Sequence, residues 1–269
     1  MCSFSWQQFG DTLTVVFNRD ESTTRSKAQH PKYYTENGVR FIMPKDPDGD
    51  GSWIAANEFG FVFVLLNDYQ GQVKPPQTLI SRGQLIRSLA SCRDWQTIKQ
   101  KVACWPLSQS QPFQLGVIAA QQQMFWHYNG LVSQITPATL PSALFSSAHP
   151  DVKNIVKLRH SLLQRTKASS VEELVQLFKG HKPDLSDVAK LNLPNSQKHK
   201  CEAINGDVIK AGEGNTYSIC MHRDEANTQS LSCIELKNSS IEFSYWDGQP
   251  CQVDRPITMS LPLVTADFF

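Results

Sequence analysis

No apolar run in this chain is long enough to cross a bilayer. The longest, Phe59 to Leu66, falls far short of the ~20 residues a spanning helix needs. The N-terminus has neither the basic stretch nor the apolar core of a secretory signal. An excess of one charge is also missing: 26 Lys+Arg against 25 Asp+Glu leave a net +1. No global field therefore draws in nucleic acid or an anionic membrane. The seven cysteines (2, 92, 104, 201, 220, 233 and 251) are odd in number and never fall into Cys-x-x-Cys spacing. That disfavours both a disulfide framework and a structural zinc site. The histidines (30, 127, 149, 160, 181, 199 and 222) include no His-x-x-x-His pair, and Cys-x-x-Cys-His is absent. The expectation is no metal site, no required cofactor and no covalent haem; a single axial ligand to loosely bound haem stays open. Repeats and low-complexity tracts are missing. So is strict βαβ alternation, which argues against a dinucleotide-binding domain. A soluble protein of a reducing cytoplasm is expected.

What is present begins at the second residue. Removal of Met1 would leave Cys2 with a thiol and a free α-amine on one carbon. An α-amine has a reference pKa of about 7.7–8.0, so near neutral pH it can serve as base for its own thiol. Asp11 to Phe17 is rich in Thr, Val and Phe and predicts a strand. A hairpin around Gly10-Asp11 would lay it beside Ser3–Trp6 and bring Asn18-Arg19-Asp20-Glu21 within reach of Cys2. Strand alternation puts Asn18 and Asp20 on one face, Arg19 and Glu21 on the other. Taken alone, Cys2 is more simply an incidental strand residue, and charges after a strand are ordinary.

Length (269 residues), 40% hydrophobic and 19% charged content suit one large α/β domain or two small ones, with ample core. Ser22 to Lys45 reads as a long loop with a short strand at Val39–Met43. Asp46-Pro47-Asp48-Gly49-Asp50-Gly51 imitates a calcium loop, but Asn57 stands where the bidentate glutamate belongs, so a tight turn is expected. Strands are predicted at Gly51–Ala56, Gly60–Leu66, Pro112–Ala120, Met124–Tyr128, Ser230–Leu236, Ile241–Tyr245 and Ile257–Leu263. Helices are predicted at Gln84–Ser91, Trp95–Ala103, Val152–Gln164 and Ser170–Gly180, the last capped by Ser169 or Ser170. Thr136-Pro137 and Pro141 mark a loop, and 181–216 lacks a pattern. Paired strands, then helices, then paired strands give mixed α and β with antiparallel sheets.

Met1-Cys2 followed by Asn18-Arg19-Asp20-Glu21 resembles the Transport and Golgi organisation family, also called the NRDE family. Trp53-Ile54-Ala55, Phe59-Gly60 and Leu65-Leu66-Asn67 are similar to its Trp-Leu-Gly…Gly…Leu-Thr-Asn segment. Ser81-Arg82-Gly83-Gln84-Leu85 and Pro112-Phe113-Gln114-Leu115 are similar to two later motifs. The resemblance is strong before about residue 130 and patchy after it. It implies a single domain over residues 1–269. The implied fold is the α+β, four-layer αββα sandwich of N-terminal-nucleophile hydrolases, of the bile-salt and penicillin V acylase type. It also implies roles. Cys2 would be the nucleophile, Asp20 would hold the α-ammonium, and Arg19 would lower the thiol pKa. Asn67 would bind the developing oxyanion, or else merely cap a strand turn. Asn18, Glu21 and Trp53 would belong to the same pocket. Ser147 in Leu144-Phe145-Ser146-Ser147 stands where the family tends to have a second asparagine donor. Arg223, in His222-Arg223-Asp224-Glu225, is the counterpart of an active-site arginine or part of a charged loop.

Two functions follow from the resemblance. One is hydrolysis of an amide or thioester of a small or lipid-like substrate. The other is a carrier without turnover, holding haem as non-covalent cargo or an acyl-CoA-type lipid in the same pocket. Intact Met1-Cys2 with Asn18–Glu21 favours the first, and serine at 147 favours the second.

Overall fold

The computed structural model describes residues 2–75, 79–137, 142–149, 151–181 and 218–264. The chain starts on strand β1 (Cys2–Phe9), turns at Gly10-Asp11 and returns as β2 (Thr12–Ser22). Gly10 has φ +56°, and Phe9 faces Thr12 across the turn. A glycine at the first of two turn residues fits the right-handed twist of the hairpin, and a side chain there would be strained. The remaining strands are β3 (Gln29–Glu36), β4 (Val39–Lys45), β5 (Ile54–Asn57), β6 (Val62–Asn67), β7 (Phe113–Ile118), β8 (Gln123–Tyr128), β9 (Ser133–Pro137), β10 (Ser142–Ser146), β11 (Ala226–Leu236), β12 (Ser240–Asp247) and β13 (Ile257–Pro262). The helices are α1 (Gly83–Ala90), α2 (Trp95–Ala103), α3 (Val152–Thr166) and α4 (Val171–Lys179).

The strands form two antiparallel sheets. One is six-stranded, in the order β10-β1-β2-β11-β12-β13, and the other seven-stranded, β3 through β9 in sequence. Their inner faces meet in one core. Phe4, Trp6, Val15, Phe17, Ile234 and Phe243 pack against Ile42, Ile54, Val62, Val64 and Leu66. Each such side chain contributes roughly 1.5–3 kcal/mol by leaving water. The outer face of the seven-stranded sheet is covered by Leu85, Ile86 and Leu89 of α1 and Ile98 and Val102 of α2. The outer face of the six-stranded sheet is covered by Leu174, Val175 and Phe178 of α4 over Val16, Leu231 and Trp246. The result is the expected α+β sandwich with helices outside two facing sheets. No helix among the described residues is long and apolar enough to cross a membrane.

Three segments differ from the sequence reading. Ser22 to Lys45 contains a whole strand, β3, paired to β4 through Asn37-Gly38, both at positive φ. Asn-Gly is the residue pair this two-residue turn demands. The strand was hidden because it is a polar sheet edge with a register shift between Gln29 and Lys32, across His30-Pro31. The loop expected at Thr136-Pro137 is the end of β9, where an edge strand tolerates proline. β10, too short for periodicity to show, closes the other sheet beside β1. Asp46–Gly51 is the tight turn expected, bridged at its two ends. Ser170 caps α4, accepting from Glu173 N. The patternless stretch after His181, and Pro141, lie outside the described residues.

Candidate functional site

At one end of the sandwich, the start of β1 and the end of β2 face the end of β6 and the turn before α1. Between them lies a cleft of about 130 Å³ lined by Cys2, Arg19, Asp20, Glu21, Trp53, Asn67 and Arg82, among others. The β1–β2 register places Cys2 directly opposite Arg19, and β10 places Ser146 on its other side. Cys2 N donates to Ser146 Oγ at 3.2 Å, and Cys2 Sγ lies 4.0 Å from the Asp20 carbonyl oxygen. The approach of the facing wall depends on two glycines. Ser52 N donates to Gly83 O, and a Cβ on Gly51 would stand 2.1 Å from the Gly83 carbonyl carbon. Only glycine at 51 lets the Ser81-Arg82-Gly83 turn close onto the cleft.

Strand alternation sorts the four charged and polar residues after Phe17 as expected. Arg19 points between the sheets, its guanidinium 4.5 Å over the Trp53 ring and its Nη2 3.3 Å from Glu21 Oε2. Glu21 also faces Arg25, which holds Asp46 at 2.5 Å. Asn18 and Asp20 point outward. Asn18 Nδ2 donates to Phe178 O at 2.8 Å and Ile219 O at 3.1 Å. Asn18 thus ties β2 to α4 and to the segment before β11, and it does not line the cleft. Asn18→Ala would leave two buried carbonyls short of a donor; a loss of about 1–3 kcal/mol is expected, read as a lower urea midpoint. An unchanged midpoint would remove this bracing role. Asp20 Oδ1 accepts from Thr228 Oγ1 at 2.6 Å. Burial raises the Asp20 carboxyl pKa, opposed by the positive chain terminus, by Arg159 and by the Thr228 hydrogen bond.

The other expected residues divide. Asn67 lines the cleft, its Nδ2 donating to Tyr69 Oη at 3.0 Å. Ser147 is buried, and its Oγ accepts from His149 N at 3.0 Å. Its neighbour Ser146, not Ser147, is the serine that meets Cys2. Arg223 pairs with Glu225 and lines an adjoining pocket of about 310 Å³ with His149 and Met221; the two spaces share Asp20 and Glu21. Two arginines went unassigned in the sequence. Arg82 sits in the cleft, its Nη1 donating to Pro112 O at 2.8 Å, and the Ser81-Arg82-Gly83 motif was its signal. Arg159 of α3 is 1% exposed, with Nη1 on Ser3 Oγ at 2.7 Å and Nη2 on Ser218 O at 2.5 Å. An interior helical arginine carries no local signal.

The Cys2 thiol is not activated as the chain stands. Burial pushes it up to about 11, and the positive chain terminus only partly offsets this. Arg19 is committed to Glu21 and Trp53. With Met1 attached, iodoacetamide at neutral pH should therefore label the exposed Cys104 before Cys2. Cys2 labelling should rise with pH up to about 11. Peptide mapping of the alkylated protein checks this, and fast neutral-pH labelling of Cys2 in that form would contradict it.

Solved structures with this arrangement of sheets and helices include the penicillin V acylase from Agrobacterium tumefaciens. It superposes with a TM-score of 0.54 at 10% identity, over 99% of this chain and 87% of its own. The conjugated bile acid hydrolase from Clostridium perfringens, solved as the mutant C2A, gives 0.51 at 12% identity, over 96% of this chain and 92% of its own. The fold is that of the N-terminal-nucleophile hydrolases. The chain itself belongs to the Transport and Golgi organisation 2 family, whose sequence model matches residues 1–239. Comparison with curated proteins gave no match.

Proposed function

We propose that the protein, once Met1 is removed, is a cysteine hydrolase of amide or thioester bonds. The observation that carries this reading is the position of Cys2, in a cleft shared with Asn67 and Arg82 from the opposite wall. The similar bile acid hydrolase also has cysteine as its second residue, since it was solved as C2A. The Cys2 nitrogen, an amide donor to Ser146 in the longer chain, becomes a free amine on processing. That amine takes the thiol proton as Sγ bonds to the carbonyl carbon. The Asn67 amide is the side-chain donor for the oxyanion. The amine then returns the proton to the leaving nitrogen or sulfur as the C–N or C–S bond breaks. Water, deprotonated by the same amine, releases the acyl group from Cys2. The guanidinium of Arg82 favours an anionic group on the substrate.

A second reading, a carrier without turnover, rests on the adjoining pocket of about 310 Å³. That volume lies in the ~300–1,000 Å³ range of ligand sites, which the Cys2 cleft alone does not reach. His149 and Met221 there are residue types that ligate haem iron, and the apolar space also suits an acyl chain.

The test is intact mass, followed by incubation with acyl thioesters and amides. Loss of Met1 and a transient acyl adduct on Cys2 are expected. Retained Met1 in protein taken from cells would end the hydrolase reading. So would stoichiometric haem uptake with no adduct.

A further inference from the structure

Behind the six-stranded sheet, on the side away from the cleft, four reactive side chains converge from three segments. His181 follows α4, Cys220 and His222 precede β11, and Cys251 lies in the short 3-10 turn Pro250–Gln252. One ligand atom from each lies within 4.8 Å of all the others. His222 Nε2 is 3.5 Å from Cys220 Sγ and 3.2 Å from Cys251 Sγ. The His181 and His222 rings are 4.8 Å apart at 52°. A tetrahedral zinc ion, with Zn–S about 2.3 Å and Zn–N about 2.0–2.1 Å, sets its nitrogen and sulfur ligands roughly 3.5 Å apart. The His222 separations already have that size.

We propose that His181, Cys220, His222 and Cys251 form a structural Cys₂His₂ site for zinc. Two thiolates and two neutral imidazoles balance the charge of the dication, and each thiol gives up its proton to solvent on binding. Four protein ligands leave no open coordination position, so the site is structural and not catalytic. The surroundings suit ligating rings. His181 Nδ1 lies 3.1 Å from the Cys220 carbonyl oxygen, and Gln249 hydrogen-bonds His222. Contacts of this kind orient ligating histidines.

The site also bears on the cleft. Met221, between two of the ligands, donates from its backbone N to Thr228 Oγ1 at 2.8 Å, and Thr228 in turn holds Asp20. Zinc would fix this segment and, through Thr228, the position of Asp20. Only the Cys-x-His pair at 220 and 222 is local in sequence. The other two ligands are 39 residues before Cys220 and 29 after His222, beyond any zinc motif.

The experiment uses the full chain, expressed with zinc, desalted and analysed by elemental mass spectrometry. One zinc ion per chain is expected, with Cys220→Ser and Cys251→Ser each reducing retention at least roughly tenfold, and Cys104→Ser not at all. Should those variants misfold, the parent stripped with a chelator and refilled with cobalt(II) gives an independent readout. The charge-transfer and visible bands of tetrahedral thiolate-bound cobalt are expected, and zinc should erase them. A zinc-free, folded parent that yields no such spectrum overturns the site. So does a Cys220–Cys251 disulfide as the only form in freshly purified protein under reducing conditions. None of these readouts depends on turnover at Cys2.

Discussion

Cys2→Ala is expected to abolish turnover on acyl thioesters and amides while leaving the fold intact. Loss of a nucleophile in enzymes of this type costs on the order of 10⁴–10⁶-fold. Alanine keeps the free amine after Met1 removal, so only the Sγ that bonds to carbon is lost. The stability cost is small because Cys2 is half-buried at the edge of the core, against Ser146 and Arg19. Steady-state assay and thermal melting of the same samples check both halves. Equal turnover in parent and variant would move the chemistry away from Cys2. Haem titration of the pair adds a second arm. Uptake by both proteins, with no acyl adduct on the parent, would make the four residues Asn18 to Glu21 inherited scaffold.

Arg159→Ala should be the most destabilising single change outside the apolar core. The guanidinium is buried on α3, where it joins β1 through Ser3 to the segment at Ser218. Burial lowers its pKa, and the nearby Asp20 and Cys2 act in the opposite direction. Alanine there removes two hydrogen bonds from a charged donor, worth about 1.5–3 kcal/mol each, and takes away the positive charge that favours the ionised form of the nearby Asp20. That loss corresponds to a fall in Tm on the order of 10 °C for a domain of this size. Arg159→Lys should recover part of it, since an ammonium keeps the charge but cannot span both partners. Turnover should fall with Arg159→Ala as well, because Asp20 beside Cys2 shares this environment. Wild-type melting in Arg159→Ala would show that the network carries no net stability.

Local chemistry determined much of this protein. The β1–β2 hairpin was legible from a run rich in Thr, Val and Phe and from Gly10, α4 from its serine cap, and α1 and α2 from apolar spacing. These signals act over a few residues and need no distant partner. The same holds for the face on which each residue from Asn18 to Glu21 lies, since that follows from the pleat alone. β3 and β10 did not show, because edge strands are polar or short and are held by neighbours remote in sequence. The site divided on the same line. Cys2, Arg19, Asp20 and Asn67 stood out as residue types in a recognisable order. That Ser146 and not Ser147 meets Cys2 depends on the register of β10 against β1. That Asn18 braces α4 instead of lining the cleft depends on where the helix packs. Arg82 reaches the cleft only because Gly51 and Gly83 let two backbones touch. The gathering of His181, Cys220, His222 and Cys251 depends on how α4, the approach to β11 and the turn at Cys251 converge behind one sheet. Sequence periodicity encodes which face of an element is buried; which faces meet is decided only when the whole sandwich closes.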